Sequence, residues 1–571
     1  MKLFHFLVLG IILAAAIGVR FIGLEKQMTH SDDIGVAWAI LVQTGETYDI
    51  DYIRKKIGDS GHEDYDSPQF RFLRRLNDSD RLELWLPYLR TVMKFLVIPQ
   101  SFTYAPLQFL ITPFLISENQ SYPSLLFWGR FPSFIFSILG LLLIVWVLRR
   151  LDGGFLSVVA GLVFLGFSWE NIIYSRHMSG YAAGVAATLF LLALLIWILK
   201  NPPVGIRKGI LIGLLVAAAA FAQYQVFYFL PAFFLIWLID IWLEKNIRKG
   251  LIGSLGAAIL TTALFLLPLA IVFLLPQAHV AGEIFSGTSY YFQPPLGSSF
   301  YGVFIYAIKF LAGNLFRIVR FATAMIPAGI ALNVLSGIVL FLVVSGLVRM
   351  FLAKDPNQKK IGWFLALSGL TVLVLALAGK IALSPTRHSL IFWPYLAVAA
   401  SFSLGGISGF FSRKINFDFE KLIALILTVL IMFLFFCHYQ GINNARVDFF
   451  SESELESLVV EYQPRFAIAA DQNLFFMAPF KNWQKLHGSE RFFNVFENIS
   501  GKEDVFLLVS RQPVTNDICG KMLAESGVNA GCRPGFFQVI FEKNLNSGAT
   551  LDLLTEVHQI PNRFFLKIIK I

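Results

Sequence analysis

Long apolar runs recur eleven times along this chain, and no other feature limits its fold as much. They centre on about Leu3 to Gly23, Arg130 to Leu148, Phe155 to Ile173, Tyr181 to Leu199, Gly209 to Gln223, Val226 to Leu243, Gly250 to Leu275, Ala328 to Leu347, Ile361 to Gly379, Leu390 to Phe411 and Leu422 to Cys437. A backbone in hydrocarbon finds no water to bond, so each run must satisfy its own N–H and C=O groups. At this length the solution is a helix, and barrel strands are excluded. Of 571 residues, 56% are hydrophobic and 15% charged, more apolar surface than one soluble core can bury. The expected fold class is mainly α: a polytopic transmembrane helical bundle of about eleven helices.

The formal charge of +10 would suggest nucleic acid in a soluble protein. Here the cations sit in short clusters between apolar runs, which is a topological pattern, so no nucleic-acid partner is expected. Lys2, Arg149, Arg150, Lys200, Arg207, Lys208, Lys245, Arg248 and Lys249 fall on one side of an eleven-helix bundle, as do Arg349, Lys354, Lys359, Lys360, Arg413, Lys414 and Lys421. The positive-inside rule makes that side cytoplasmic, with the N-terminus inside and the C-terminus outside. Ala14, Ala15 and Ala16 also fit a cleaved signal peptide, but the first run continues for about 20 residues, which favours a retained helix.

Two long segments fall on the outer side. The first is the loop 24–129 within the membrane domain 1–437; its charged stretch Asp49 to Glu83 is incompatible with hydrocarbon. Within that loop, Tyr104 to Ile116 is short and carries Pro106 and Pro113, so it is expected to be interfacial or re-entrant. The second is 438–571, where hydrophobicity falls. Strand-like runs at Arg465 to Ala470, Asp504 to Ser510, Phe537 to Glu542 and Arg563 to Ile571, with helical stretches at Glu452 to Tyr462 and Asn516 to Gly527, predict a small extracytoplasmic α/β domain. Cys519 and Cys532 lie there and are expected to form a structural disulfide in an oxidising setting; two buried thiols are the other reading. Cys437, inside the last run, reads as packing. No metal-ligand spacing appears among the cysteines.

The densest polar signal is His30-Ser31-Asp32-Asp33, just beyond the first run. Adjacent carboxylates at a membrane surface need compensation, and Ser31 or Asp32 also fits a plain helix cap before Ile34. The topology brings Arg176 and His177, Tyr224 and Gln225, and Arg387 and His388 to the same outer face. A site that joins a sugar to a hydroxyl needs a carboxylate near that hydroxyl and cations for a departing phosphate, and this set contains both. Taken singly, each arginine also fits interfacial snorkelling. Tyr290 and Tyr291, in Ser289 to Pro295, either stack on a sugar or belong to the interfacial aromatic belt. Lys309, Arg317 and Arg320 lie on an amphipathic stretch suited to anionic headgroups or to a lipid phosphate.

Taken in order, these motifs resemble the membrane glycosyltransferases of the C-type superfamily, especially the protein mannosyltransferase and aminoarabinose transferase branch. Asp32-Asp33 is similar to the branch's acidic pair after the first helix, with Asp33 where Glu is usual. Tyr104-Ala105-Pro106-Leu107-Gln108-Phe109 resembles its proline-containing aromatic segment, although His-Pro-Pro has become Tyr104-Ala105-Pro106. Arg130-Phe131-Pro132-Ser133, Tyr174-Ser175-Arg176, and Arg387-His388 followed by Pro394 resemble later motifs, over about residues 1 to 440.

The resemblance implies a multi-pass cell-membrane enzyme that moves a hexose or pentose from a polyprenyl-phosphate donor to a lipid, glycan or protein acceptor on the outer face, with inversion. Asp32 and Asp33 would be catalytic, Arg176, His177, Arg387 and His388 would bind donor phosphate, and Tyr104, Tyr224, Gln225, Tyr290 and Tyr291 would line the substrate. No cofactor is assigned, and metal dependence is left open. The alternatives are a transporter or flippase for a lipid-linked glycan, and a silent scaffold whose C-terminal domain binds an envelope partner.

Overall fold

The computed structural model of the chain describes residues 2–24, 106–115, 122–243, 248–269, 299–322, 330–379 and 387–415, single positions between these and within 426–439, and strand residues 466–469, 505–510, 557–560 and 564–570. The chain divides into two compact units, Met1–Leu24 with Ile50–Leu115 and Trp128–Gly441, and Glu25–Asp49 with Ile116–Phe127 and Ile442–Ile571.

The first unit is helical. Among the described residues nine helices are long and apolar enough to cross a membrane, which makes this a multi-pass membrane protein. In chain order the helices are α1 (Lys2–Phe21), α2 (Pro106–Ile111), α3 (Tyr122–Arg150), α4 (Gly154–Gly166), α5 (Trp169–Tyr174), α6 (Tyr181–Lys200), α7 (Ile206–Ala222), α8 (Leu230–Leu243), α9 (Arg248–Leu269), α10 (Phe300–Ala322), α11 (Ile330–Phe351), α12 (Pro356–Leu377) and α13 (Trp393–Ile415). Short 3-10 turns occupy Thr112–Phe114, Tyr224–Phe229 and Arg387–Phe392. The segment expected to be too short to span is the six-residue α2 and the turn after it.

One predicted span breaks. The run Phe155 to Ile173 is two helices, because Phe167 leaves helical geometry (φ −119°, ψ 7°) and Ser168 is extended (φ −62°, ψ 122°). The break is stabilised from outside: the Arg20 guanidinium donates to the carbonyls of Gly166 (2.6 Å) and Leu165 (3.1 Å), which have lost their helical donors. A second difference concerns α10, read from sequence as an amphipathic surface stretch; by length and composition Tyr301–Arg320 also qualifies as a span.

Contacts fix the direction of each helix. His5 stacks on Phe155 with ring centroids 3.9 Å apart, and Gly166 lies against Ala16, so α1 and α4 run parallel. Lys200 Nζ donates to the Arg150 carbonyl at 2.6 Å, and Ser133 Oγ donates to the Ser179 carbonyl at 3.0 Å, so α3 and α6 run together from the opposite end. The Trp393 indole donates to the Phe164 carbonyl at 3.0 Å and Ser157 Oγ to the Ser401 carbonyl at 2.6 Å, which sets α13 antiparallel to α4. One end of the bundle therefore gathers Arg149, Arg150, Lys200, Arg207, Lys208, Arg248, Lys249 and Arg349 and is called the basic end. At the other, the far end, α1, α4 and α7 finish while α6 and α13 begin.

Close approaches depend on small residues. A Cβ on Gly209 or Gly213 of α7 would strike the backbone of α9 at Ser254 or Ala258, and Thr262 Oγ donates to the Gly213 carbonyl at 3.1 Å. Glycines four apart put a flat strip on one helix face, so the two parallel backbones meet without side chains between them. Gly346 of α11 meets the Ala399 carbonyl of α13 in the same way, and beyond it Arg349 lies over the Phe402 ring, 4.4 Å from its centroid. Near the basic end Lys360 of α12 pairs with buried Asp240 of α8.

In the second unit four strands form a sheet of order β1-β2-β4-β3, with β1 Phe466–Ala469, β2 Val505–Ser510, β3 Val557–Ile560 and β4 Phe564–Lys570. β1 and β2 are parallel; β4 is antiparallel to both β2 and β3. Three strands fall on strand-like runs read from sequence, and β3 was not anticipated. The strand at Phe537 to Glu542, the intervening helices, and Cys519 with Cys532 lie outside the described residues.

Candidate functional site

Three arginines, Arg20, Arg130 and Arg176, are fully buried at the far end. Each is there because a helix end needs donors. The last carbonyls of a helix have no partner within it and carry the negative end of its dipole, so a guanidinium with five fixed donors suits them. Gly23, at φ 65°, stops α1 by entering a conformation that only glycine adopts readily, and this turns successive carbonyls outward.

Arg176 collects them. Its Nη1 donates to the carbonyls of Val19 (3.1 Å), Arg20 (3.0 Å) and Ile22 (2.8 Å), and its Nη2 to Gly23 (2.6 Å). Arg130 Nη1 takes the next carbonyl, Leu24, at 2.8 Å. Arg20 faces the other way, holding the end of α4 through Gly166 and Leu165 and its own helix through Ala16 at 2.8 Å. The exit of α1 is thereby fixed by residues more than a hundred positions away in sequence.

A second polar layer lies beside this cage. Gln108 of α2 donates to the Gly129 carbonyl at 3.2 Å and accepts from Ser133 Oγ at 3.3 Å, tying the short helix to α3. His177 is buried with its ring 5.2 Å from that of Tyr174. α5, which carries Glu170 and leads into Arg176, packs among α1, α4, α6, α10 and the turn Arg387–Phe392. Ser168 Oγ and Asn171 Nδ2 are buried there and find no hydrogen-bond partner among the described residues. Glu170 lies outside the candidate spans, and burial pushes its carboxyl up to about 7.

Of the residues singled out from sequence, Arg176 and His177 lie at this end, where Arg176 faces helix carbonyls. Tyr224 is buried at the start of the 3-10 turn after α7, and Gln225 beside it accepts from Gln223 at 3.2 Å. Arg387 and His388 open the turn that packs on α5, so their backbone is at the same end. Asp32, Asp33, Tyr104, Tyr290 and Tyr291 lie outside the described residues. Sequence reading did not single out Arg20, Gln108 or Glu170. Arg20 had a visible signal, as an arginine near the end of an apolar run must find acceptors or reach water.

The arrangement places three guanidinium groups at the point where the chain leaves α1. The hydrogen bonds described above all run to backbone carbonyls, so the three guanidinium groups tie the helix ends of this region together. Searched against protein families and curated proteins, the chain matches no family model and no curated protein.

Proposed function

We propose that this protein is an integral membrane glycosyltransferase that moves a sugar from a polyprenyl-phosphate donor to a lipid, glycan or protein acceptor at the far end of the bundle. The observation that carries the reading is the arginine cage at the exit of α1. It fixes the exit of α1 at Leu24, and the ordered motifs of the C-type superfamily would place an acidic pair after that helix and a lipid phosphate near these arginines.

In this reading Asp32 or Asp33 accepts the proton of the acceptor hydroxyl. The oxygen attacks the anomeric carbon from the face opposite the phosphate, the bond from that carbon to the phosphate oxygen breaks, and the lipid phosphate leaves with the electron pair. Inversion follows from the single displacement. Arg387 and His388 meet the phosphate, while Arg176, Arg20 and Arg130 act on it through their field. The clustering of exposed cations at the basic end supports placing that end in the cytoplasm and the far end outside, in the cell membrane. The sheet of 442–571 follows the last helical residues and would then be extracytoplasmic.

The test is transfer from a polyprenyl-phosphate sugar to acceptor in membranes containing Asp32→Asn or Asp33→Asn protein. Both variants should accumulate normally, and at least one should lose about a hundredfold or more of the transfer rate. Full transfer by both removes the proposed base. Movement of a lipid-linked glycan without a new glycosidic bond would favour a transporter instead.

A further inference from the structure

We infer that α10 does not cross the membrane and instead lies along its far surface as a docking helix for anionic phospholipid headgroups. The inference is independent of the transferase reading.

The first argument is topological. Residues 205, 209 and 213 of the α7 strand of chain meet 250, 254 and 258 of α9 in rising order, so α9 runs parallel to α7 and finishes at the far end. Gly346 and Arg349 of α11 meet Ala399 and Phe402 of α13 in rising order, so α11 runs parallel to α13 and begins at the far end. The chain between α9 and α11 therefore makes an even number of crossings. α10 is the one candidate span described there, and residues 270–299 contain no second long apolar run. The middle of α10 also sits at the far end: Phe310 and Tyr306 each pack 5.5 Å from the Phe292 ring, and the Phe292 carbonyl lies beside Gly379, just past the end of α12.

The second argument is the helix surface. At about 100° per residue, Lys309, Arg317 and Arg320 fall in one arc about 80° wide. Phe310, Asn314 and Ile318, all buried, fill the next arc, and the third holds exposed Phe304, Ile308 and Leu315, with Val319 buried only in the last turn. Protein, acyl chain and headgroup each receive one face. As a crossing helix, α10 would instead hold exposed Lys309 about 12 Å below Tyr301, near the middle of the hydrocarbon. No acidic residue lies anywhere in α10, so exposed Lys309 and Arg317 complement an anionic surface.

Two measurements on the full chain in vesicles of equal parts phosphatidylcholine and phosphatidylglycerol test this. Nitroxides placed singly at 304, 308, 309, 312 and 316 should report depths that oscillate with the helix period about a constant mean; a steady change of about 1.5 Å per residue is a crossing and overturns the proposal. In the otherwise unaltered protein, Lys309→Gln with Arg317→Gln should lower the enrichment of phosphatidylglycerol among co-purified lipids, by about fivefold per cation at most. Unchanged enrichment, or none in the parent protein, overturns the headgroup assignment.

Discussion

Four carbonyl oxygens at one helix end converge on Arg176, and its replacement would leave them buried without donors. A buried carbonyl deprived of its partner costs about 1–3 kcal/mol, and one guanidinium serves several. Arg176→Gln should therefore destabilise the folded protein by about 3 kcal/mol, read as a lower Tm in detergent. Arg176→Lys should recover only part of the loss, because an ammonium is a point donor and cannot span carbonyls of two successive turns. An unchanged Tm for Arg176→Gln would mean that the carbonyls find other donors. The sequence assigns Arg176 to a donor phosphate and is silent on these carbonyls, because a single sequence does not reveal which helix end lies beneath an arginine. The partners are Val19 through Gly23, more than 150 residues earlier. Only the packing of α5 against α1 brings them together.

At the scale of elements, helix positions follow directly from the apolar runs, whereas helix interruptions and contacts do not. The stop at Phe167 was hidden because Phe155 to Ile173 is apolar almost throughout; what ends α4 is Arg20, a donor from another helix. The pair Gly209 and Gly213 was readable as a four-residue spacing, but its partner α9 was not. That contact makes a clear prediction. Gly209→Leu adds a side chain where even a Cβ collides with the Ser254 carbonyl, so α7 and α9 must separate and lose the Thr262 to Gly213 hydrogen bond. The expected cost is about 1–3 kcal/mol, seen as a lower Tm, and Gly209→Ala should be milder. Gly256, on α9 with nothing within reach of a Cβ, provides the control: Gly256→Ala should leave Tm unchanged. Equal effects at Gly209 and Gly256 would place the packing elsewhere.

For the whole molecule, the alternation of helix directions was legible because charge and hydropathy are written along the chain in the order in which the membrane reads them. The side chains that would meet at the site were less so, since they come from loops whose approach depends on tertiary packing. The two ends differ in kind: the basic end exposes the cluster of Arg149, Arg150, Lys200, Arg207, Lys208 and Lys249, while the far end buries Arg20, Arg130 and Arg176 against carbonyls and exposes only the few cations of α10 among the described residues. A buried, dipole-bound arginine does not resist translocation as a solvated cluster does, so the far end is the one expected to cross. With Cys437, Cys519 and Cys532 changed to Ser, a cysteine at exposed Ser299 should react with a membrane-impermeant maleimide in intact cells, and one at exposed Lys208 only after permeabilisation. The reverse pattern would put the arginine cage and the root of the Asp32-Asp33 segment in the cytoplasm. Nucleotide sugars are available on that side, so the reason for a lipid-carried donor would disappear, and the proposed chemistry with it.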